Sequence, residues 1–132
     1  MRCLTALVTA VLLAATVAGC GTNETSAVKA KVTQFANAVA SHDYETICTQ
    51  VLAPQLLADV AAGGIGCEHA MRIALSSVHD ARLTVGAVTV DGNRASVLTV
   101  AEALREKALL TKVELIDTAN GWRISSLGNP VG

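Results

Sequence analysis

The side chains of this sequence that could transfer protons are few, and they lie apart. The three histidines, His42, His69 and His79, each fall near an expected helix end, where an imidazole commonly makes a favourable contact with the helix dipole. His42 is followed directly by Asp43, and these two residues could form an acid–base pair. A polar turn in which Asp43 caps the next helix accounts for them more simply.

Nucleophilic catalysis has equally little support in the sequence. Ser125 and Ser126 have no adjacent histidine and no glycine elbow. The charged run from Glu102 to Lys107 mixes both signs, which is typical of a solvated connection. A general base needs a pocket that tunes its pKa, and no carboxylate here has an evident one. We therefore assign no catalytic residue and no cofactor, and expect a protein that is not an enzyme.

The cysteine with the clearest chemistry is Cys20. The chain begins with a positive charge at Arg2, continues with an apolar run from Leu4 to Val17, and reaches the segment Val17-Ala18-Gly19-Cys20. This order is typical of a secretory signal peptide, and its closing cysteine resembles the acylated cysteine of bacterial lipoproteins. We expect residues 1–19 to be removed and Cys20 to carry the lipid.

An uncleaved membrane anchor is the alternative interpretation of this segment. Its apolar run of about 14 residues is shorter than the ~20 residues that a membrane-spanning helix needs. Threonines interrupt the run, and no basic cluster follows it. The predicted location is therefore the extracytoplasmic face of the cell membrane, with attachment through the lipid.

Cys48 and Cys67 remain in the folded domain, and two kinds of chemistry are open to them. In an oxidising compartment they can form a disulfide, worth about 3 kcal/mol for a loop of this size. The alternative is a metal site with the nearby His42 and His69. Cys-x-His is not a usual zinc spacing, so we predict the disulfide and no metal.

The mature chain would have 113 residues, enough for one small domain. Loss of Arg2 leaves 9 basic and 11 acidic residues, so the formal charge is −2 and gives no long-range attraction to nucleic acid. With one Phe, one Tyr and one Trp, the chain also lacks stacking platforms for single-stranded nucleic acid.

The first half of the domain has helical spacing of its apolar residues. After a polar tether over 20–26, Val28, Val32 and Phe35 begin an amphipathic helix that runs to about residue 41. Further helical segments follow Asp43 and Pro54, and a third apolar stripe covers 67–78.

The second half has the alternating pattern of β-strands from Arg82 onward. The apolar phase shifts at Gly86, which indicates a β-bulge, and Asp91-Gly92 indicates a hairpin. Two more strands follow, and we expect residues 128–132 to form a loose tail. Helices followed by an antiparallel meander predict an α+β fold in which the helices pack on a curved antiparallel sheet.

This order of elements resembles the NTF2-like superfamily, a cone-shaped α+β fold, and in particular its small secreted or lipid-anchored actinobacterial members. The resemblance covers about 25–127, within an expected domain at 27–127. It rests on these segments: Val28, Val32 and Phe35; His42-Asp43-Tyr44; Ile47-Cys48; Leu52-Ala53-Pro54; Gly66-Cys67-Glu68; and Asn120-Gly121-Trp122-Arg123-Ile124. The superfamily holds enzymes, ligand binders and scaffolds, and its catalytic sets have no match here.

The expected function is therefore a membrane-anchored, non-catalytic module that binds a small apolar ligand or a protein partner. The alternative is an NTF2-like enzyme acting on a small hydrophobic substrate. Strand alternation turns Trp122 and Ile124 toward the helices and Arg123 outward. We expect Phe35 and Met71 to face them across the layer, and we expect these four residues to line any cavity. The sheet is also a candidate surface for homodimer formation.

Overall fold

The computed structural model describes residues 20–128 and 130–131, so the predicted signal peptide, 1–19, lies outside it. Within these residues, four helices and one π-helical turn precede four strands. The order is α1 (Cys20–Ala40), α2 (Tyr44–Thr46), the π-helical turn (Ile47–Val51), α3 (Pro54–Ala62), α4 (Cys67–Ala74), β1 (Arg82–Asp91), β2 (Arg94–Glu102), β3 (Leu109–Thr118) and β4 (Gly121–Ser126).

Helix α1 begins earlier than the sequence pattern indicated. The tether expected over 20–26 is helical, and the helix runs without interruption from Cys20 to Ala40. Its first turns are held against the sheet, because the indole nitrogen of Trp122 donates a hydrogen bond to the Glu24 carboxylate at 2.7 Å. This contact joins residues 98 positions apart, so helical periodicity alone could not reveal it.

The end of α1 explains the direction of the next helix. His42 adopts φ 57°, and the backbone N–H groups of His42 and Asp43 donate to the carbonyls of Val39 and Ala38. This is the Schellman arrangement that closes a helix. Asp43 then caps α2 as predicted, since its carboxylate accepts from the Thr46 backbone N–H at 3.0 Å.

The four strands form an antiparallel sheet in the order β1-β2-β3-β4. The Asp91-Gly92 hairpin joins β1 to β2, and the predicted bulge lies between Val85 and Val88. A Cβ atom on Gly86 would lie 2.8 Å from the Leu98 carbonyl oxygen, so only glycine fits there. Helices packed on this curved sheet confirm the predicted α+β fold class.

The hydrophobic core lies between α1, the π-helical turn and the inner face of the sheet. Its members are less than 10% exposed, and they include Val28, Val32, Ile47, Val51, Leu52, Met71, Val97, Leu115, Trp122 and Ile124. One polar pair lies among them: the hydroxyls of Thr99 and Thr111 are 2.8 Å apart and satisfy each other.

Part of the segment expected to be a loose tail, 128–132, lies against the edge of β3. β4 pairs with β3 only from Glu114 onward, so the earlier part of β3 has an open edge. The Val131 N–H donates to the Leu110 carbonyl at 2.9 Å and occupies part of that edge. Gly128, at φ 90°, brings the backbone so close to the Lys112 carbonyl that a Cβ atom would clash.

Candidate functional site

The two cysteines of the domain form the predicted disulfide. Cys48 lies in the π-helical turn and Cys67 is the first residue of α4, with their Cα atoms 5.9 Å apart. Their sulfurs are bonded to each other and cannot serve as metal ligands. Across the described residues, no cluster of three or more His, Cys, Asp or Glu side chains is placed to hold a metal ion.

The orientation of the last strand agrees with the sequence. Trp122 is 5% exposed and Ile124 is fully buried, while Arg123 between them is half-buried. Met71, from α4, is also part of this core. These three side chains pack in the core between helices and sheet, and they belong to neither of the two cavities described below.

Phe35, the fourth expected lining residue, borders open space. It contributes to an apolar groove of about 330 Å³ between the second half of α1 and the starts of β1 and β3. The apolar side chains of its wall are those of Phe35, Ala36, Val39, Leu75, Val78, Ala81, Leu83, Ala101, Ala103 and Leu109. We call this feature the apolar groove.

Two of these wall residues come from a segment that was predicted to be helical and is not. The third apolar stripe was expected to run over 67–78, but α4 ends at Ala74 and residues 75–77 form turns. Leu75 and Val78 therefore leave the helix and contribute to the groove wall, where both remain half-buried.

Charged side chains of both signs border the apolar groove. Arg82 and Glu102 are direct cross-strand partners at the ends of β1 and β2, and Glu106 and Lys107 come from the connection before β3. Residues 20–128 and 130–131 contain a single ion pair, Lys112–Glu114 at 3.6 Å, and it lies away from the groove. The four rim charges thus form no ion pair with one another.

A second, more polar cavity adjoins the groove. It is an open concavity of about 910 Å³, and its wall includes His42, His79 and Asp80. It shares Ala81, Arg82, Glu102 and Ala103 with the apolar groove, so the two spaces have a common border. We call this feature the polar cavity.

Sequence reasoning treated most of these polar residues as solvated helix ends and connections, and they are indeed exposed. It did not foresee that His42 and His79, 37 positions apart in sequence, contribute to one wall. Within the same wall, the Leu104 N–H donates to the His79 carbonyl at 2.8 Å and ties the segment before β1 to the connection after β2. The remaining histidine, His69, is exposed on α4 and lies outside this wall.

One further electrostatic feature lies on the opposite half of α1. The Lys31 ammonium donates to the Gln34 side chain and to the Gln50 carbonyl, at 2.7 and 2.9 Å. Partial burial lowers the pKa of Lys31, and the nearby positive charge of Arg123 lowers it further. The three residues around Lys31 belong to neither the groove nor the polar cavity.

None of the helices in the described ranges combines the length and apolar content needed to cross a membrane. No protein-family model matches the chain, and comparison with curated proteins gives no match.

Solved structures do resemble this one. A protein of the NTF2-like family from Streptomyces avermitilis, a provisional dehydratase, superimposes with a TM-score of 0.56 at 15% identity, covering 78% of this chain and 92% of that one. An NTF2-like protein of unknown function from Shewanella baltica OS155 gives 0.52 at 9% identity, covering 80% and 90%. The helices, the curved sheet and the similarity to these two structures show that the chain has an NTF2-like fold.

Proposed function

We propose that this protein is a lipid-anchored, extracytoplasmic module that binds a small apolar ligand in the apolar groove without transforming it. The observation that carries the proposal is the wall of that groove, in which ten apolar residues surround about 330 Å³. Ligand sites are typically concave, mostly apolar and about 300–1,000 Å³ in volume.

Hydrophobic burial supplies the binding energy in such a site. Phe35, Val39 and Leu83 are only half-buried, and Leu109 is 45% exposed. Covering this surface with an apolar ligand gains about 25 cal/mol for each Å² removed from water. The same surface left open to solvent would be unfavourable, which supports an occupant.

An enzyme acting on a small hydrophobic substrate is the second candidate. The polar cavity favours it, because His42, His79 and Asp80 lie beside the apolar groove, and because the Streptomyces avermitilis neighbour is a provisional dehydratase. All three side chains are exposed, whereas catalytic pKa values are commonly shifted by burial. Mass spectrometry of ligand recovered after incubation decides between the two, since a binding module returns the compound unchanged.

Filling the groove tests the binding proposal. Ala36→Trp places a large side chain in the groove wall, whereas Ala27→Trp makes the same change at an exposed position of α1 outside it. We expect Ala36→Trp to reduce binding of the uncharged dye N-phenyl-1-naphthylamine at least ~10-fold, equivalent to about 1.4 kcal/mol. Equal binding by both variants would contradict the assignment of the groove.

The lipid anchor is tested at Cys20. Clickable palmitate should label the wild-type chain and the Cys3→Ala variant, because Cys3 belongs to the segment expected to be removed. Cys20→Ala should abolish the label, and labelling that persists in it would refute the anchor. With Cys20 as the first residue of α1, Phe35 lies about 22 Å along the helix from the attachment point.

A further inference from the structure

We infer that the groove's ligand is an amphiphile with one apolar chain and a zwitterionic head, the chain lying in the apolar groove and the head in the polar cavity. This inference rests on the proposed function of the groove and specifies the class of its ligand. Three features of the described residues carry it: a shared border, unpaired charges of both signs, and backbone strain in the cavity wall.

The shared border makes one molecule able to occupy both spaces. Ala81 and Ala103 line the apolar groove and the polar cavity alike, as do Arg82 and Glu102. A chain bound against Phe35 and Leu83 therefore ends where polar side chains begin. A purely apolar ligand would leave the polar cavity unused, and a purely polar one would leave the groove wall exposed to water.

The charges at the border favour a head that carries both signs. Arg82 can bind an anionic group through its guanidinium, and the carboxylates of Glu102 and Asp80 can bind an ammonium group. Arg82 and Glu102 are cross-strand partners without an ion pair between them, so both keep their donors and acceptors for a ligand. The imidazoles of His42 and His79 add further hydrogen-bonding groups.

Backbone strain is concentrated in the same wall. Among the described residues, His42, Asp80 and Arg105 are the non-glycine residues with positive φ, at 57°, 50° and 65°. His42 and Asp80 line the polar cavity, and Arg105 follows Leu104 of its wall. Glycine fits such backbone better, and residues held there often belong to functional sites. The positive φ of His42 also closes α1, so the strained position that supports binding is Asp80, which lies in the cavity wall.

The size of the groove favours one chain over two. Its volume of about 330 Å³ is near the lower end of the range for ligand sites. A zwitterionic head of this kind occurs in phosphoethanolamine lipids and in betaine lipids. The two sources share an ammonium group and an anionic group, and differ in whether the anion is a phosphodiester or a carboxylate.

Photo-crosslinking to the full chain in its membranes tests the inference. Four probes share one diazirine-bearing acyl chain and differ in their heads, which are phosphoethanolamine, betaine carboxylate, phosphate monoester and uncharged glycerol. Crosslinks are mapped by mass spectrometry to the part of α1 around Phe35. We expect at least one zwitterionic probe to label this segment about fivefold more than the phosphate and glycerol probes, as for one exposed charge-assisted contact.

Charge-neutralising variants locate the head. Arg82→Gln combined with Glu102→Gln should remove the zwitterion preference and retain labelling by the glycerol probe, because the ten apolar side chains of the groove wall are unchanged. The matched control is Lys112→Gln combined with Glu114→Gln, which removes the exposed ion pair of β3 and should keep the preference. Circular dichroism confirms that both double variants are folded.

Each outcome distinguishes the inference from the function on which it rests. Equal labelling by all four heads would overturn the zwitterionic ligand and leave the apolar groove as a binding site. A preference that survives loss of Arg82 and Glu102 would overturn the placement of the head. Failure of every probe to label the α1 segment would overturn the proposed function itself.

Discussion

The two halves of helix α1 meet the rest of the molecule in different ways. In the first half, Val28 and Val32 are fully buried. In the second half, Phe35 and Val39 continue the same apolar stripe but remain half-buried and border the groove. One amphipathic helix thus closes a core at one end and lines a binding groove at the other. Amphipathic spacing indicates which side chains face inward, whereas the opposing elements decide whether they are covered.

The elements opposite each half explain the contrast. At the closed end, Trp122 and Ile124 of β4 fill the layer, and the disulfide joins the π-helical turn to α4. At the open end, the neighbours are the first residues of β1 and β3 and the turns after α4. The charged side chains at those strand ends are exposed to water. The apolar wall of the groove beside them therefore remains open to solvent.

The largest expected effect compares one aromatic residue from each end. Trp122→Ala removes a buried side chain and the hydrogen bond to Glu24, and should lower the free energy of unfolding by about 3–5 kcal/mol. Phe35→Ala should cost less than about 2 kcal/mol, because its ring is only half-buried. Urea unfolding followed by circular dichroism measures both, and equal losses would contradict the contrast between the ends.

Loss of the disulfide at the closed end should have the second-largest effect on the free energy of unfolding. Replacing Cys48 and Cys67 together by alanine releases a loop with 18 residues between the cysteines, and should lower the free energy of unfolding by about 2–4 kcal/mol. Dye binding by the folded variant should be unchanged, since neither cysteine lines the groove. Two free thiols in protein made in an oxidising compartment would show that the bond does not form.

A stabilising substitution is expected at the open end. The left-handed backbone of His42 costs the folded state about 1–2 kcal/mol, and His42→Gly removes this cost. The greater entropy of glycine in the unfolded chain offsets about 0.5–1 kcal/mol of the gain. The net gain in unfolding free energy should be about 0.5 kcal/mol, measured by urea unfolding. Destabilisation would mean that the imidazole makes a contact needed by the fold.

The smallest effect concerns Asp43, which caps α2 just after the open end of α1. Hydrogen bonds from the Thr46 backbone N–H, and then from its hydroxyl, lower the pKa of Asp43 below its ordinary value. A lowered pKa in the folded state adds stability above the ordinary pKa, and that stability is lost as the pH falls through the lowered value. Asp43→Asn should therefore show less acid destabilisation than wild type below about pH 4. Identical acid unfolding profiles would contradict this.

Local signals in the sequence predicted much of the fold. Asp43 as a cap, Gly86 as a bulge and Asp91-Gly92 as a turn are each set by neighbouring residues and are present in the structure. The helix begins at Cys20 rather than near residue 27, and Glu24 in its first turns is held by Trp122, a contact distant in sequence.

The site was harder to predict than the fold. Sequence alternation placed Trp122 correctly toward the helices, but it could not show that Trp122 fills the layer while Phe35 does not. That outcome depends on where α4 ends and on which strand ends lie opposite α1. The polar cavity depends on tertiary contacts in the same way, since His42 and His79 contribute to one wall only when α1 and the segment before β1 are packed.

A titration monitored by backbone amide NMR tests the central claim most directly, namely that the open end of α1 lines the ligand site. An apolar probe with a 12-carbon chain should shift the amide resonances of Phe35, Leu83 and Leu109, and leave those of Val28 and Ile124 at the closed end in place. Shifts confined to the closed end, or to the outer face of the sheet around Leu98, would contradict the account.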